Sequence, residues 1–167
     1  PFVNNGCLPI TFFPFPDPWP YNYTWFYFEA HADGEFGFVM EAADPDEASD
    51  LDFQVWGPIN NASDACNFIK NNQPIRSSYA DGADPTGLAN NHPLTGSLIN
   101  DTCEDADGDD FVKTIPVQAG EVYFVLVNDW GNAITSGAVS IDFDNTSDDV
   151  LPQDDFFSIS PDMIACP

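Results

Sequence analysis

An acidic run in the second half of the chain carries the residue types best suited to chemistry. Residues 103–111 read CEDADGDDF, so five of nine positions are carboxylates. Ca²⁺ takes about six to eight oxygen ligands, and carboxylates at alternate positions can converge on one ion when the backbone curls, as Gly108 permits. The run therefore predicts a calcium site whose ligands come from Asp105, Asp107, Asp109 and Asp110.

The alternative for this run is a solvated acidic loop. It does not match the calcium loop of EF-hands, because Gly108 follows directly after the second of the three alternating aspartates and no glutamate stands at the twelfth place. The chain has 28 acidic residues and a formal net charge of −25, so acidic runs arise without any function.

The charge balance also excludes several partners. The basic residues number three, which is too few to neutralise the phosphates of a nucleic acid or an anionic membrane surface. No stretch approaches the roughly 18 apolar residues that a transmembrane helix needs, so we expect no membrane insertion. Such a surface favours cations, solubility and resistance to nonspecific association.

Catalytic motifs are missing from the sequence. There are two histidines, His31 and His92, and no nucleophile elbow, zinc-protease or phosphate-loop pattern. Paired carboxylates occur in glycosidases, but a chain this acidic contains such pairs inevitably. The sequence therefore predicts a protein that is not an enzyme.

Cysteines and glycosylation motifs indicate an extracellular protein. The four cysteines lack CxxC spacing, which favours two disulfides over a zinc or redox site and leaves their connectivity open. Four Asn-x-Ser/Thr sequons add to this. The cysteines are Cys7, Cys66, Cys103 and Cys166, and the sequon asparagines are Asn22, Asn61, Asn100 and Asn145.

Apolar residues alternating at period two predict β-strands near 23–31, 35–42, 50–57, 111–118, 121–130 and 137–143. The strand at 121–130 is nearly all apolar and should lie centrally in a sheet, and Asp33-Gly34 predicts a hairpin between the first two strands. No segment shows a clear helical period, and residues 59–110 suggest a long loop region. The expected fold is all-β, a two-sheet antiparallel jelly-roll-like sandwich.

The domain organisation follows from composition. Residues 23–143 form the expected sandwich, flanked by extended segments at 1–22 and 144–167. The apolar pieces LPITFFPFP (8–16) and DDFFSIS (154–160) could add as strands to the sheet edge of a neighbouring copy. Alternatively, the two ends are linkers to further modules, or they fold back on their own sandwich.

Several motifs together resemble a β-sandwich module of secreted Bacteroidetes-type surface proteins, found among adhesin-like and gliding-associated chains. The layout is similar to pre-peptidase C-terminal and CUB-like sandwiches, and the resemblance implies fold and compartment more than activity. The motifs are WFYFEA (25–30), LDFQVWGP (51–58), DACNF (64–68), PIRSSYA (74–80), TGL (86–88), GDDFVKTIPVQAGEVYFVLVNDW (108–130) and GAVSIDF (137–143).

The same resemblance implies a disulfide pairing. Such modules commonly carry a second cysteine where this chain has Ser77, so Cys66 lacks its usual local partner. Cys103 is the natural replacement, which leaves Cys7 with Cys166. One bridge would then pin the long loop region, and the other would join the two ends.

The expected function is that of a non-enzymatic extracellular structural or adhesive protein at the cell surface, a protomer of a fibre made of copies of itself. The rival is a glycan- or calcium-binding accessory module of a larger secreted protein or hydrolase. For glycans, the four tryptophans could form a stacking platform, although core packing is favoured for them. They are Trp19, Trp25, Trp56 and Trp130.

Overall fold

The computed structural model describes residues 22–43, 50–82, 85–129 and 139–151. Strands dominate this part of the chain and one short α-helix accompanies them, which confirms the all-β class. The strands are β1 (Asn22–Glu29), β2 (Gly34–Phe36), β3 (Phe38–Ala42), β4 (Leu51–Ile59), β5 (Arg76–Ser78), β6 (Thr86–Leu88), β7 (Phe111–Val112), β8 (Ile115–Val117), β9 (Val122–Asp129) and β10 (Val139–Asp142). The helix α1 (Ala65–Asn71) lies between β4 and β5.

One four-stranded sheet has the order β1-β9-β4-β5 and is antiparallel throughout. Strand β9 lies between β1 and β4, as its nearly continuous apolar sequence predicts. Along β9, Val125 faces Phe26 on one side and Val55 on the other, so this row of the sheet places apolar side chains side by side. The central position predicted for this strand is therefore confirmed for Val122–Asp129.

The second four-stranded sheet has the order β10-β3-β6-β7, and a two-stranded sheet pairs β2 with β8. Strands β6 and β7 run parallel, so the prediction of purely antiparallel sheets was wrong for this pair. The parallel pairing is possible because residues 89–110 connect the two strands, long enough for the chain to return to the same end of the sheet.

The two four-stranded sheets pack face to face through an aromatic core, which makes the fold sandwich-like. The ring of Phe38 in β3 meets Phe26 of β1 edge-on at 6.3 Å and Phe53 of β4 at 5.2 Å between centroids. Phe36 stacks on Phe28 at 3.9 Å. Each such buried ring stabilises the fold by about 1.5–3 kcal/mol relative to exposure.

Residues 59–110 contain regular structure, contrary to the expectation of a long loop. Helix α1, β5 and β6 all fall within this region. In α1, Ala65, Phe68 and Ile69 pack against Ile59 and the outer side of β9. Their i, i+3, i+4 spacing is helical, but a helix of two turns is too short for that period to stand out from the sequence.

The sequence signal at Asp33-Gly34 was also misleading, because β1 pairs with β9 and β2 pairs with β8. No hairpin joins β1 to β2. Asp33 instead accepts a hydrogen bond from the Ala119 N–H at 2.9 Å through its carboxylate. At Gly34, a Cβ atom would lie 2.7 Å from Val150, so close packing rather than turn geometry requires glycine there.

Residues 143–151 form a strap across β2 and the start of β3. The Ser147 N–H donates to the Glu35 carbonyl at 2.8 Å, and the Ser147 hydroxyl accepts from the Glu35 N–H at 2.9 Å. The hydroxyl of Thr146 contacts both the N–H and the carbonyl of Gly37. Val150 is fully buried and its carbonyl accepts from the His31 N–H at 2.9 Å.

Candidate functional site

The acidic run 103–111 lies along the outer edge of β5. Cys103 forms a parallel bridge with Ser77, and the Glu104 N–H donates to the Ser77 carbonyl at 2.9 Å. Further along, the Asp81 N–H donates to the Ala106 carbonyl at 3.2 Å. The run is therefore held by the backbone of the strand and of the segment that follows it.

Most of its carboxylates accept hydrogen bonds from the run's own backbone. Glu104 accepts from the Asp109 N–H at 3.2 Å, Asp105 from the Asp107 N–H at 3.3 Å, and Asp109 from the Phe111 N–H at 3.3 Å. These contacts satisfy N–H groups that a tight turn otherwise leaves to water. The concentration of carboxylates thus has a structural use that needs no cation.

Asp110 closes the run in an unusual backbone conformation. Its φ is +73°, in the left-handed region that costs a residue other than glycine about 1 kcal/mol or more. The strain is offset because its carbonyl accepts from the Gly87 N–H at 3.0 Å and from the Thr86 hydroxyl at 2.6 Å. Its carboxylate packs over Gly82, where any Cβ atom would overlap it.

The carboxyl of Glu104 is partly buried. Burial raises the pKa of its carboxyl to about 7, and the neighbouring carboxylate of Asp109 contributes in the same direction. A hydroxyl hydrogen bond from Ser78 at 3.2 Å lowers that pKa in part. The backbone N–H of Asp109, which donates to the Glu104 carboxylate, also opposes the rise in pKa.

The predicted calcium ligands do not form a ready-made metal site. Across the described ranges, no group of three or more His, Cys, Asp or Glu side chains is arranged to hold a metal ion. Asp105, Asp107 and Asp109 are exposed, and the Asp105 and Asp109 carboxylates accept the backbone hydrogen bonds given above. Calcium binding at these residues and Asp110 stays a prediction, and it requires the run to rearrange.

The sequence did not reveal a second carboxylate feature, which lies on the outer face of the β1-β9-β4-β5 sheet. Asp52 in β4 is 5% exposed and Gln54 is 1% exposed, although strand alternation places both away from the core. Burial, followed by the charge of Asp50, raises the pKa of Asp52 to about 8, while a hydrogen bond from Asn128 opposes the shift. Asp52 is therefore largely protonated at neutral pH.

The same outer face buries the tryptophans that sequence reasoning considered for glycan stacking. Trp25 and Trp56 contact each other at 5.6 Å between centroids. Trp56 is 1% exposed and its indole N–H donates to the Asn72 carbonyl at 3.2 Å. Trp56 lies at the end of the predicted strand 50–57, a position that suggested partial exposure, but it is buried because the outer face of this sheet is covered. Trp19 and Trp130 lie outside the described residues.

Neither Cys66 nor Cys103 has a free thiol. Cys66 lies in the first turn of α1 and Cys103 beside β5. The pairing of these two cysteines stays a prediction. Cys7 and Cys166 lie outside the described residues, as do the terminal segments 1–21 and 152–167.

Three of the sequon asparagines, Asn61, Asn100 and Asn145, are exposed. Asn61 accepts a hydrogen bond from the Ser63 N–H at 3.0 Å through its side-chain carbonyl. For Asn22 the backbone is described but the side chain is not. Exposure permits glycosylation at these three positions, and their use stays a prediction.

The two histidines have surroundings that explain them without catalysis. His31 is exposed, and its backbone N–H is bonded to the strap. His92 accepts a hydrogen bond from the Leu94 N–H at 3.1 Å, and its ring lies 4.8 Å from that of Phe111.

Among the residues described, no helix has the length and apolarity needed to cross a bilayer.

Comparison with family models, with curated proteins and with solved structures finds no match for this chain. The class of protein is therefore defined by the fold itself, an all-β chain with two facing sheets and a mostly self-bonded acidic loop.

Proposed function

We propose that the protein is a non-enzymatic extracellular structural or adhesive protein at the cell surface, the protomer of a fibre that assembles through its extended terminal segments. The finer architecture is a jelly-roll-like sandwich of the kind found in Bacteroidetes-type surface modules. In this proposal each copy contributes a terminal segment to the sheet of the next copy, and the contact repeats without closing.

The observation that carries the proposal is the edge position of β1. In the described residues, β1 pairs with β9 on one side and ends its sheet on the other. It is eight residues long, and strand addition by another copy would extend the sheet at this end. The segments 8–16 and 154–160 have the apolar character that such an added strand needs.

Electron microscopy of the purified full-length protein at native salt tests the proposal. We expect filaments, and dispersed monomers across salt and protein concentration would refute the fibre and favour an accessory module. Two variants then separate the ends: Phe12→Asp with Phe13→Asp, and Phe156→Asp with Phe157→Asp. Each adds the same charge, and filaments unaffected by both variants would refute assembly through the terminal segments.

The proposed disulfides, Cys66–Cys103 and Cys7–Cys166, would lock the acidic run to α1 and join the two ends. Loss of a bridge that closes a loop of tens of residues costs on the order of 4 kcal/mol in the chain-entropy picture. Non-reducing peptide mapping decides the pairing. A fragment that joins Cys66 to Cys7 or Cys166 would overturn the first assignment.

A further inference from the structure

A well-ordered loop between β6 and β7 presents an exposed pair of leucines. We call residues 90–100 the leucine loop. The Ile99 N–H donates to the Asn90 carbonyl at 3.0 Å, and the His92 N–H donates to the Ser97 carbonyl at 2.8 Å. The Gly96 N–H donates to the His92 carbonyl at 2.8 Å. The φ of Gly96 is +71°, a conformation that favours glycine. The loop is closed on itself like a short hairpin.

The base of the leucine loop is fixed to the core. Ile99, Ala89 and Phe111 form a buried cluster, and the His92 ring packs on Phe111. A loop with an internal hydrogen-bond network and a buried base has little conformational entropy left to lose on binding. A partner that contacts it therefore avoids much of the usual ordering cost.

The tip of the leucine loop is apolar and open. Leu94 is 75% exposed and Leu98 is 69% exposed, and they are the exposed large hydrophobic residues of the described part of the chain. One exposed leucine is ordinary, but two on one loop that is fixed at its base offer a partner two apolar side chains to contact.

The charge distribution identifies what can approach this point. Residues 86–100 contain no acidic residue, in a chain with 28 of them. Two copies, each with a net charge of −25, repel one another, and the repulsion is weakest where the contacting segments lack acids.

One terminal segment matches this requirement and the other does not. Residues 1–16 contain no charged side chain and are rich in phenylalanine and proline. The region 144–167 contains six aspartates, and its apolar piece begins with two of them. An uncharged apolar segment from a second copy is thus the complement of the uncharged apolar loop.

We propose that the leucine loop is the docking surface for residues 1–16 of a second copy of this chain, with Phe12 and Phe13 packed on Leu94 and Leu98. This inference rests on the proposed function and deepens it, because it selects the N-terminal segment and adds the leucine loop to the edge of β1 as a second contact surface of the receiving copy.

Matched variants of the full-length protein test the docking surface by sedimentation. Leu94→Gln with Leu98→Gln removes the apolar tip without changing charge, and Leu94→Met with Leu98→Met retains it. We expect the glutamine variant to raise the concentration for half-maximal assembly by at least about tenfold and the methionine variant to resemble wild type. Equal assembly of all three at an unchanged melting temperature would overturn the inference while leaving the fibre intact.

Photo-crosslinking tests the contact even if no fibre forms. Phe13→p-benzoylphenylalanine is placed in ¹⁵N-labelled chains, which are mixed with unlabelled chains and irradiated. Mass spectrometry should find residues 1–16 of one isotope joined to residues 90–100 of the other. Crosslinks confined to a single chain, to other surfaces, or absent altogether would refute the docking.

Discussion

The buried carboxyl of Asp52 leads to an unusual prediction: replacing it with asparagine should stabilise the protein, and more so at higher pH. The Asp52→Asn side chain has nearly the same shape and keeps a carbonyl oxygen for Asn128. It cannot ionise, however, and the burial that raises the pKa of Asp52 to about 8 penalises only the ionised form.

The magnitude follows from linkage. Between pH 4 and pH 8 the folded protein keeps a proton on Asp52 that the unfolded chain has lost, so this group makes the free energy of unfolding fall as pH rises. Relative to Asp52→Asn, wild type should be less stable by about 1 kcal/mol at pH 4.5 and by about 3–5 kcal/mol at pH 8, at roughly 1.4 kcal/mol per pKa unit. For a chain of this size, each kcal/mol shifts the melting temperature by about 2–4 °C.

Thermal melts followed by circular dichroism across this pH range provide the assay, with Glu41→Gln as the matched control. Glu41 is exposed on β3, so this variant makes the same change from carboxyl to amide at a position where the carboxyl is not buried. The difference between the two variants isolates burial from general repulsion. If Asp52→Asn and Glu41→Gln melt together at every pH, then Asp52 is not buried as described and the reasoning fails.

Three further predictions concern the acidic run and the second sheet. Glu104→Ala should destabilise the fold by about 1–2 kcal/mol, and it should speed hydrogen exchange at the Asp109 amide, because that amide loses its acceptor. Unchanged exchange at the Asp109 amide would contradict the hydrogen bond. Gly87→Ala should lower the free energy of unfolding by about 3 kcal/mol or more, because the added Cβ would overlap the Phe38 carbonyl. A soluble variant with the melting temperature of wild type would show that β3 and β6 are farther apart. Calcium should raise the melting temperature, because binding to the folded state alone adds about 2.7 kcal/mol to the free energy of unfolding at a hundredfold excess over Kd. Asp107→Asn should remove this effect. If a chelator leaves the melting temperature of wild type unchanged in low salt, the run is a solvated loop.

The strands that could be predicted are those whose own sequence decides their environment. Residues 121–130 are apolar on both faces, which is how a central strand with both faces covered is composed, and β9 occupies that place. The strand predicted at 50–57 alternates, with Leu51, Phe53 and Val55 on one face, but alternation does not show what covers the opposite face, where Asp52 and Gln54 lie. Both are buried, because what covers the outer face of a sheet depends on distant segments rather than on the strand.

Local turn signals failed where the chain changes sheets. The predicted strand at 35–42 divides at Gly37, with β2 paired to β8 and β3 to β6 and β10. Similarly, 111–118 divides into β7 and β8 in different sheets. A strand that crosses from one sheet to another keeps its alternation, so the pattern does not show where the crossing occurs. The acidic run is evident from the sequence. Its internal hydrogen bonds depend on the backbone conformation of the loop, which the spacing of the carboxylates does not specify.

The strap 143–151 has a mechanical consequence. A pull on the chain at its C-terminal side reaches the sandwich through Val150 and the hydrogen bonds to His31, Glu35 and Gly37. Ser147 and Thr146 form several of these bonds within two residues, so the load is shared among bonds that must break together rather than one after another. A force applied to the chain beyond residue 151 would thus be borne first by this short crossing, before it reaches the aromatic core.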